Sequence, residues 1–106
     1  MEKRAIQRKK TRLSVRFGER RPETMGLVTD VSPTGLFITT NNVLPRGTAV
    51  QVQVPVPGGE PVLLAGRVTR SRRVASQLLQ LFKGGMGVRL DQPPPLWRTS
   101  QALPEE

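Results

Sequence analysis

A chain of 106 residues has room for one domain with a modest core. It contains no Cys and no His, which removes disulfides, thiolate chemistry, the usual general base and the commonest metal ligand. Its formal charge of +9 points to an anionic partner, and with 36% hydrophobic but only 4% aromatic residues its core must be built mainly from Val, Leu and Ile.

The charge is concentrated at one end. Residues 1–21 hold nine Lys/Arg against Glu2 and Glu19, a net of +7, whereas residues 22–106 hold eight against six, a net of +2. Residues 1–11 have no apolar period and are self-repelling, so a mobile basic segment is expected there. By itself such a segment reads as a solvated tail or a nonspecific binder of nucleic-acid phosphates. From Arg12 the pattern switches to period two, with Leu13, Val15 and Phe17 on one face and Arg12, Ser14 and Arg16 on the other, which predicts a half-buried strand.

A polar loop over residues 18–23 leads to two β-type runs, Met25 to Val31 and Leu36 to Thr40, joined by a tight turn. Asp30 and Ser32 can hydrogen-bond nearby backbone, Pro33 presets φ, and Gly35 permits φ > 0 or a close approach. As a segment between strands, this one reads first as a turn. Val50, Val52 and Val54 then alternate with Gln51 and Gln53, and Pro55 and Pro57 end that strand because neither can donate to a ladder. Residues 62–72 form the next strand candidate, with Leu64, Gly66, Val68 and Arg70 on one parity and Gly66 marking a bend or bulge.

Arg70, Arg72 and Arg73 make a second basic cluster. It reads as a solvated strand edge that discourages edge pairing, with a direct ligand role as the second reading. Residues 74–82 fit either a short helix or a projecting hairpin arm whose leucines form a dimer contact. Met86 to Leu90 is the last strand. Pro93, Pro94 and Pro95 stop the sheet, and residues 96–103 fit two helical turns, with Leu96 or Trp97 capping one end of the fold. Six short antiparallel strands separated by turns predict an all-β closed or nearly closed barrel. The expected division is a basic segment over 1–11, a barrel over 12–91, and a Pro-rich tail with a short helix over 92–106.

No apolar run approaches the roughly 18 residues that span a bilayer, and the N-terminus lacks the apolar stretch of a signal peptide. A soluble cytoplasmic protein without membrane insertion is therefore expected. With no His or Cys and eight carboxylates, of which Glu2, Glu105 and Glu106 lie near the termini, no acid/base pair or metal cluster stands out. Neither an enzyme nor a bound metal or cofactor is expected.

Two motifs raise the weight of the turn. Arg4-Ala5-Ile6-Gln7-Arg8 precedes the first strand, and Asp30-Val31-Ser32-Pro33-Thr34-Gly35 follows it. This constellation resembles the PilZ domain, a bacterial receptor for cyclic di-GMP, in which Arg-x-x-x-Arg and Asp/Asn-x-Ser-x-x-Gly stand in that order and spacing. The resemblance continues through Leu44-Pro45-Arg46-Gly47-Thr48, Gly66-Arg67-Val68 and Gly85-Met86-Gly87-Val88-Arg89-Leu90. It implies a six-stranded antiparallel barrel and a ligand site made by Arg4, Arg8, Asp30, Ser32 and Gly35. Many members have a longer terminal helix than this Pro-rich tail.

The group chemistry suits that ligand. Arg pairs bidentately with guanine O6 and N7, binds phosphate oxygens and stacks on purine faces. Asp30 offers an acceptor to guanine donors, Ser32 a hydroxyl to base or phosphate, and Gly35 a close approach. Lys3 is a further candidate contact, where a cation favours phosphate. The expected mechanism is a loose Arg segment that folds over the nucleotide and changes the surface seen by an effector protein. Two alternatives remain: a PilZ-like adaptor that binds protein and no nucleotide, and a small nucleic-acid-binding barrel. Few aromatics are available to serve as stacking platforms for the last.

Overall fold

Alternation sets up the first strand. In β1 (Lys9–Gly18) Leu13, Val15 and Phe17 turn inward, with Phe17 only 1% exposed, while Arg12, Ser14 and Arg16 face solvent. The computed structural model describes residues 9–78 and 83–93. After β1 come β2 (Thr24–Ser32), β3 (Gly35–Thr39), β4 (Ala49–Val54), β5 (Val62–Arg72) and β6 (Gly85–Leu90). Every neighbouring pair is antiparallel, and the order β1-β2-β3-β6-β5-β4 closes on itself. The expected all-β six-stranded barrel is thus what forms, and closure leaves no continuous open edge. The closing seam is short, pairing Arg16 with Gln53, Phe17 with Val52 and Gly18 with Gln51.

Val28, Ile38, Val50, Val52, Val68, Met86 and Phe17 fill the interior. With so few aromatics the core depends on β-branched side chains, which pack well on a pleated surface.

Three features depart from the sequence pattern. β1 begins at Lys9, ahead of the expected Arg12, because Lys9 and Lys10 pair with Val31 and Asp30 beyond an irregularity at Thr11 and Arg12. Thr11 is fully buried, a polar anchor that hydropathy patterning does not register. Gly66 is no bulge: it pairs with both Val50 and Leu90, and a Cβ there would lie 2.5 Å from the Arg89 carbonyl oxygen and 2.9 Å from the Val88 Cγ1 methyl. The bulge in β5 falls between Val68 and Arg70 instead.

In the ambiguous stretch 74–82, Ser76–Leu78 form one 3₁₀ turn, and Leu78 is 42% exposed. The remainder of that stretch, like the Arg segment over residues 4–8 and the helix expected over 96–103, lies outside the described residues.

Truncating Phe17 removes the largest buried side chain at the closing seam. Phe17→Ala is expected to lower stability by about 3–5 kcal/mol in urea denaturation. A loss under about 1 kcal/mol would mean that the seam does not depend on this packing.

Candidate functional site

The turn between β2 and β3 consists of Pro33 and Thr34, flanked by the Ser32–Gly35 pair. No described non-glycine residue has positive φ, which excludes the mirror-image turns usual in two-residue hairpins and also type II. Pro33 supplies the fixed negative φ of the first turn position. The Thr34 carbonyl accepts a hydrogen bond from Leu90 N at 2.9 Å, so the turn is clamped to the end of β6.

Gly35 is required by this clamping rather than by its dihedrals. It has no positive φ, and a Cβ there would run into the Val88 carbonyl oxygen and lie 3.2 Å from the Arg89 Cα. The missing side chain lets β3 and β6 approach, and their ladder runs from Gly35 opposite Arg89 to Thr39 opposite Gly85.

Two bulges set the outer face beside the turn. Val28 faces the core, and strict alternation would send Asp30 inward as well. The extra residue Thr29, between the Val28–Ile38 and Asp30–Phe37 pairs, turns Asp30 outward and Val31 inward. Thr69 does the same in β5, so Arg70 stands outside opposite Gly87 instead of following Val68 into the core. Both reversals avoid burying a charge in an apolar interior. Thr29 Oγ1 and Thr39 Oγ1 lie 3.2 Å apart, and the Thr69 hydroxyl donates to the Gly87 carbonyl at 3.3 Å.

Together these elements shape a recess of about 310 Å³ on the outer surface of β3, β6 and β5. Asp30, Ser32, Thr34 and Gly35 line it from the hairpin, Phe37 and Gly87 along its length, and Thr69, Arg70 and Arg89 from the opposite strands. Asp30 is half-buried, with Oδ1 shut off from solvent. Ser32 Oγ and Thr34 Oγ1 are 3.5 Å apart at the rim. The Phe37 ring packs against Gly85, and Arg70 Nε lies 3.6 Å from where a Gly87 Cβ would stand.

Asp30, Ser32 and Gly35 are therefore brought together at one recess. Lys3, Arg4 and Arg8 lie outside the described residues. Lys9 pairs with Val31 and Lys10 with Asp30, so the described chain begins beside the recess.

Phe37, Arg70 and Arg89 were not among the expected site residues. Phe37 could have been found from parity, since inward Leu36 and Ile38 place it outside. Arg70 carried a ligand role only as the second reading of its basic cluster, because its parity predicted the core side until the bulge intervened. The strand-edge reading of the basic cluster holds in part. β5 runs past the Ala49–Arg67 pair that ends its ladder with β4, yet Arg70 and Arg72 pair with Gly87 and Gly85 on β6.

A family model for the PilZ domain matches residues 2–96. The chain belongs to the PilZ family. That match spans both the Arg-x-x-x-Arg segment and the hairpin motif. No curated protein matches the chain. Among solved structures it is similar to the Bacillus subtilis inhibitor of motility MotI/DgrA, at 17% identity and a TM-score of 0.67. The similarity covers 97% of this chain and 48% of that one, so the PilZ chain spans about half the length of that protein. At this identity the likeness is one of fold.

Among the described residues no three His, Cys, Asp or Glu side chains come together to hold a metal ion, and no helix is long and apolar enough to cross a membrane.

Two glycines of the recess separate fold from site. Gly35→Ala meets backbone and is expected to cost about 1–3 kcal/mol in denaturant unfolding. Gly87→Ala meets no atom closer than 3.4 Å and is expected to leave stability within about 1 kcal/mol. Equal losses in the two variants would contradict the assignment of Gly35 to strand approach.

Proposed function

We propose that this PilZ domain is a receptor for cyclic di-GMP, bound in the recess beside the β2–β3 turn and closed over by Arg4 and Arg8. The observation that carries the reading is the convergence of Asp30, Ser32 and Gly35 on one recess with Arg70 and Arg89. The β1–β2 register starts β1 at Lys9, opposite Val31 of the recess lining, which supports a role for the Arg8 that precedes it. Membership of a family of cyclic di-GMP receptors supports the choice of ligand.

Each group has a role that its chemistry allows. Asp30 accepts from guanine N1 and N2. Ser32, beside Thr34, offers a hydroxyl to base or phosphate. Arg70 and Arg89 present guanidinium forks to phosphate oxygens or to guanine O6 and N7. Phe37, outward and half-buried, offers an aromatic face or edge to a purine. Arg4 and Arg8 supply the cations that complete the enclosure, and Lys3 adds a phosphate contact. The nucleotide's two phosphate charges relieve the self-repulsion of the basic segment, so ligand binding and ordering of that segment are coupled.

The role is reception in the cytoplasm, with the rearranged segment presenting a new surface to an effector protein. No catalysis and no metal or other cofactor is invoked.

Calorimetric titration with cyclic di-GMP, with GMP and cyclic di-AMP as controls, tests the reading. Saturable binding selective for the guanine dinucleotide is expected. Arg8→Ala and Asp30→Ala are each expected to weaken it by about 1–3 kcal/mol, or roughly 5- to 150-fold. No binding at low or moderate salt would contradict the receptor and leave a protein-interaction adaptor. DNA or RNA affinity that falls steeply with salt, beside no nucleotide response, would point to a nucleic-acid binder.

A further inference from the structure

A second recess of about 430 Å³ adjoins the first and shares Thr34, Thr69 and Arg89 with it. Its distinguishing residue is Arg67, which is absent from the lining of the first recess. Arg67 and Arg89 stand directly opposite each other in the β5–β6 ladder, both exposed on the outer face. Like charges placed directly opposite destabilise a sheet, so this pairing costs the isolated barrel stability. Asp91 lines the same recess. Among the described residues no ion pair joins it to either arginine, and two guanidinium groups against one carboxylate leave the recess cationic.

Arg67 is also held in place. Its Nη1 donates to the Gly47 carbonyl at 2.8 Å, and Gly47 adopts a φ of 91° that glycine tolerates without strain. Gly47 N in turn donates to the Val68 carbonyl at 2.7 Å, tying that loop to the strand that bears Arg67. A guanidinium has five N–H donors. The Gly47 carbonyl takes one and restrains the group, and the others serve a planar or tetrahedral oxyanion at lower ordering cost than a loose surface arginine would incur.

We propose that the Arg67–Arg89 recess is a second phosphate-binding subsite, adjoining the recess beside the β2–β3 turn and distinct from it. It takes a phosphate or phosphodiester group, which neutralises the opposed arginines and bridges β5 to β6. Only the source of that phosphate depends on the receptor reading, because a second nucleotide beside the first would supply it through the shared wall at Arg89.

The test follows the arginine side-chain Nε–Hε signals by NMR while inorganic pyrophosphate is added at low ionic strength. The expected result is a saturable shift of the Arg67 and Arg89 signals with that of Arg16, exposed on β1, unmoved. Arg67→Gln and Arg89→Gln, checked for folding by circular dichroism, should each weaken pyrophosphate binding by about tenfold. No saturable shift at Arg67 and Arg89, or an equal shift at Arg16 from diffuse screening, would overturn the proposal in the unsubstituted chain whatever the variants do.

Cyclic di-GMP then identifies the source. Two nucleotides per parent chain and one per Arg67→Gln chain assign the phosphate to a second nucleotide. One in both, with the pyrophosphate shift intact, assigns it to another phosphorylated compound. Failure of the receptor reading has a different signature: no cyclic di-GMP binding while the pyrophosphate shifts persist.

Discussion

A closed barrel of this size has an interior that cannot hold an unpaired charge, and strict alternation along β2 and β5 would direct Asp30 and Arg70 into it. Burying an unpaired charge costs more than a local break in a ladder. The chain accommodates the break with one extra residue in each strand, Thr29 and Thr69, and both charged groups emerge on the outer face. The face between them is left open at Gly87, while the Phe37 ring covers Gly85, so what stands there is a trough with an acceptor on one wall and cations on the other. Barrel closure, bulge and site are thus consequences of one constraint.

The same economy appears at the turn. Gly35 reads as a residue suited to ligand approach, yet its immediate use is to let β6 come close enough for Val88 and Arg89 to pair with β3. Pairing brings Arg89 across from the turn and lets Leu90 N clamp the Thr34 carbonyl. A residue that serves the fold therefore positions the site, and substituting it disturbs both. Gly87, two residues before Arg89, carries no such structural demand and keeps the trough open.

Much of this was legible in the residues. The period-two runs over residues 13–17, 50–54 and 62–68 located three strands because one face of each is buried and the other solvated. Asp30, Ser32 and Gly35 read by themselves as a turn, and it was the resemblance to the PilZ domain, carried by their spacing together with the Arg-x-x-x-Arg segment, that marked them as a site. What could not be read were the effects of long-range pairing. The outward position of Arg70 depends on a bulge set by β6, and the burial of Thr11 depends on the irregular pairing of β1 with β2. Gly66 looked like a bend or bulge, but its need arises from the Arg89 carbonyl and the Val88 side chain on a strand more than twenty residues away. Periodicity sees one strand at a time, whereas register is a property of two.

The most direct test of this account is a map of backbone amide shifts in the ¹⁵N-labelled protein on addition of cyclic di-GMP. The trough predicts perturbations at residues 30–37, 69–70 and 87–89, together with the basic segment that precedes β1. The opposite face of the barrel, around Met25 and Leu63, should remain still. Perturbations centred on that face, or none at saturating nucleotide, would contradict the claim that the bulged outer face is the ligand site.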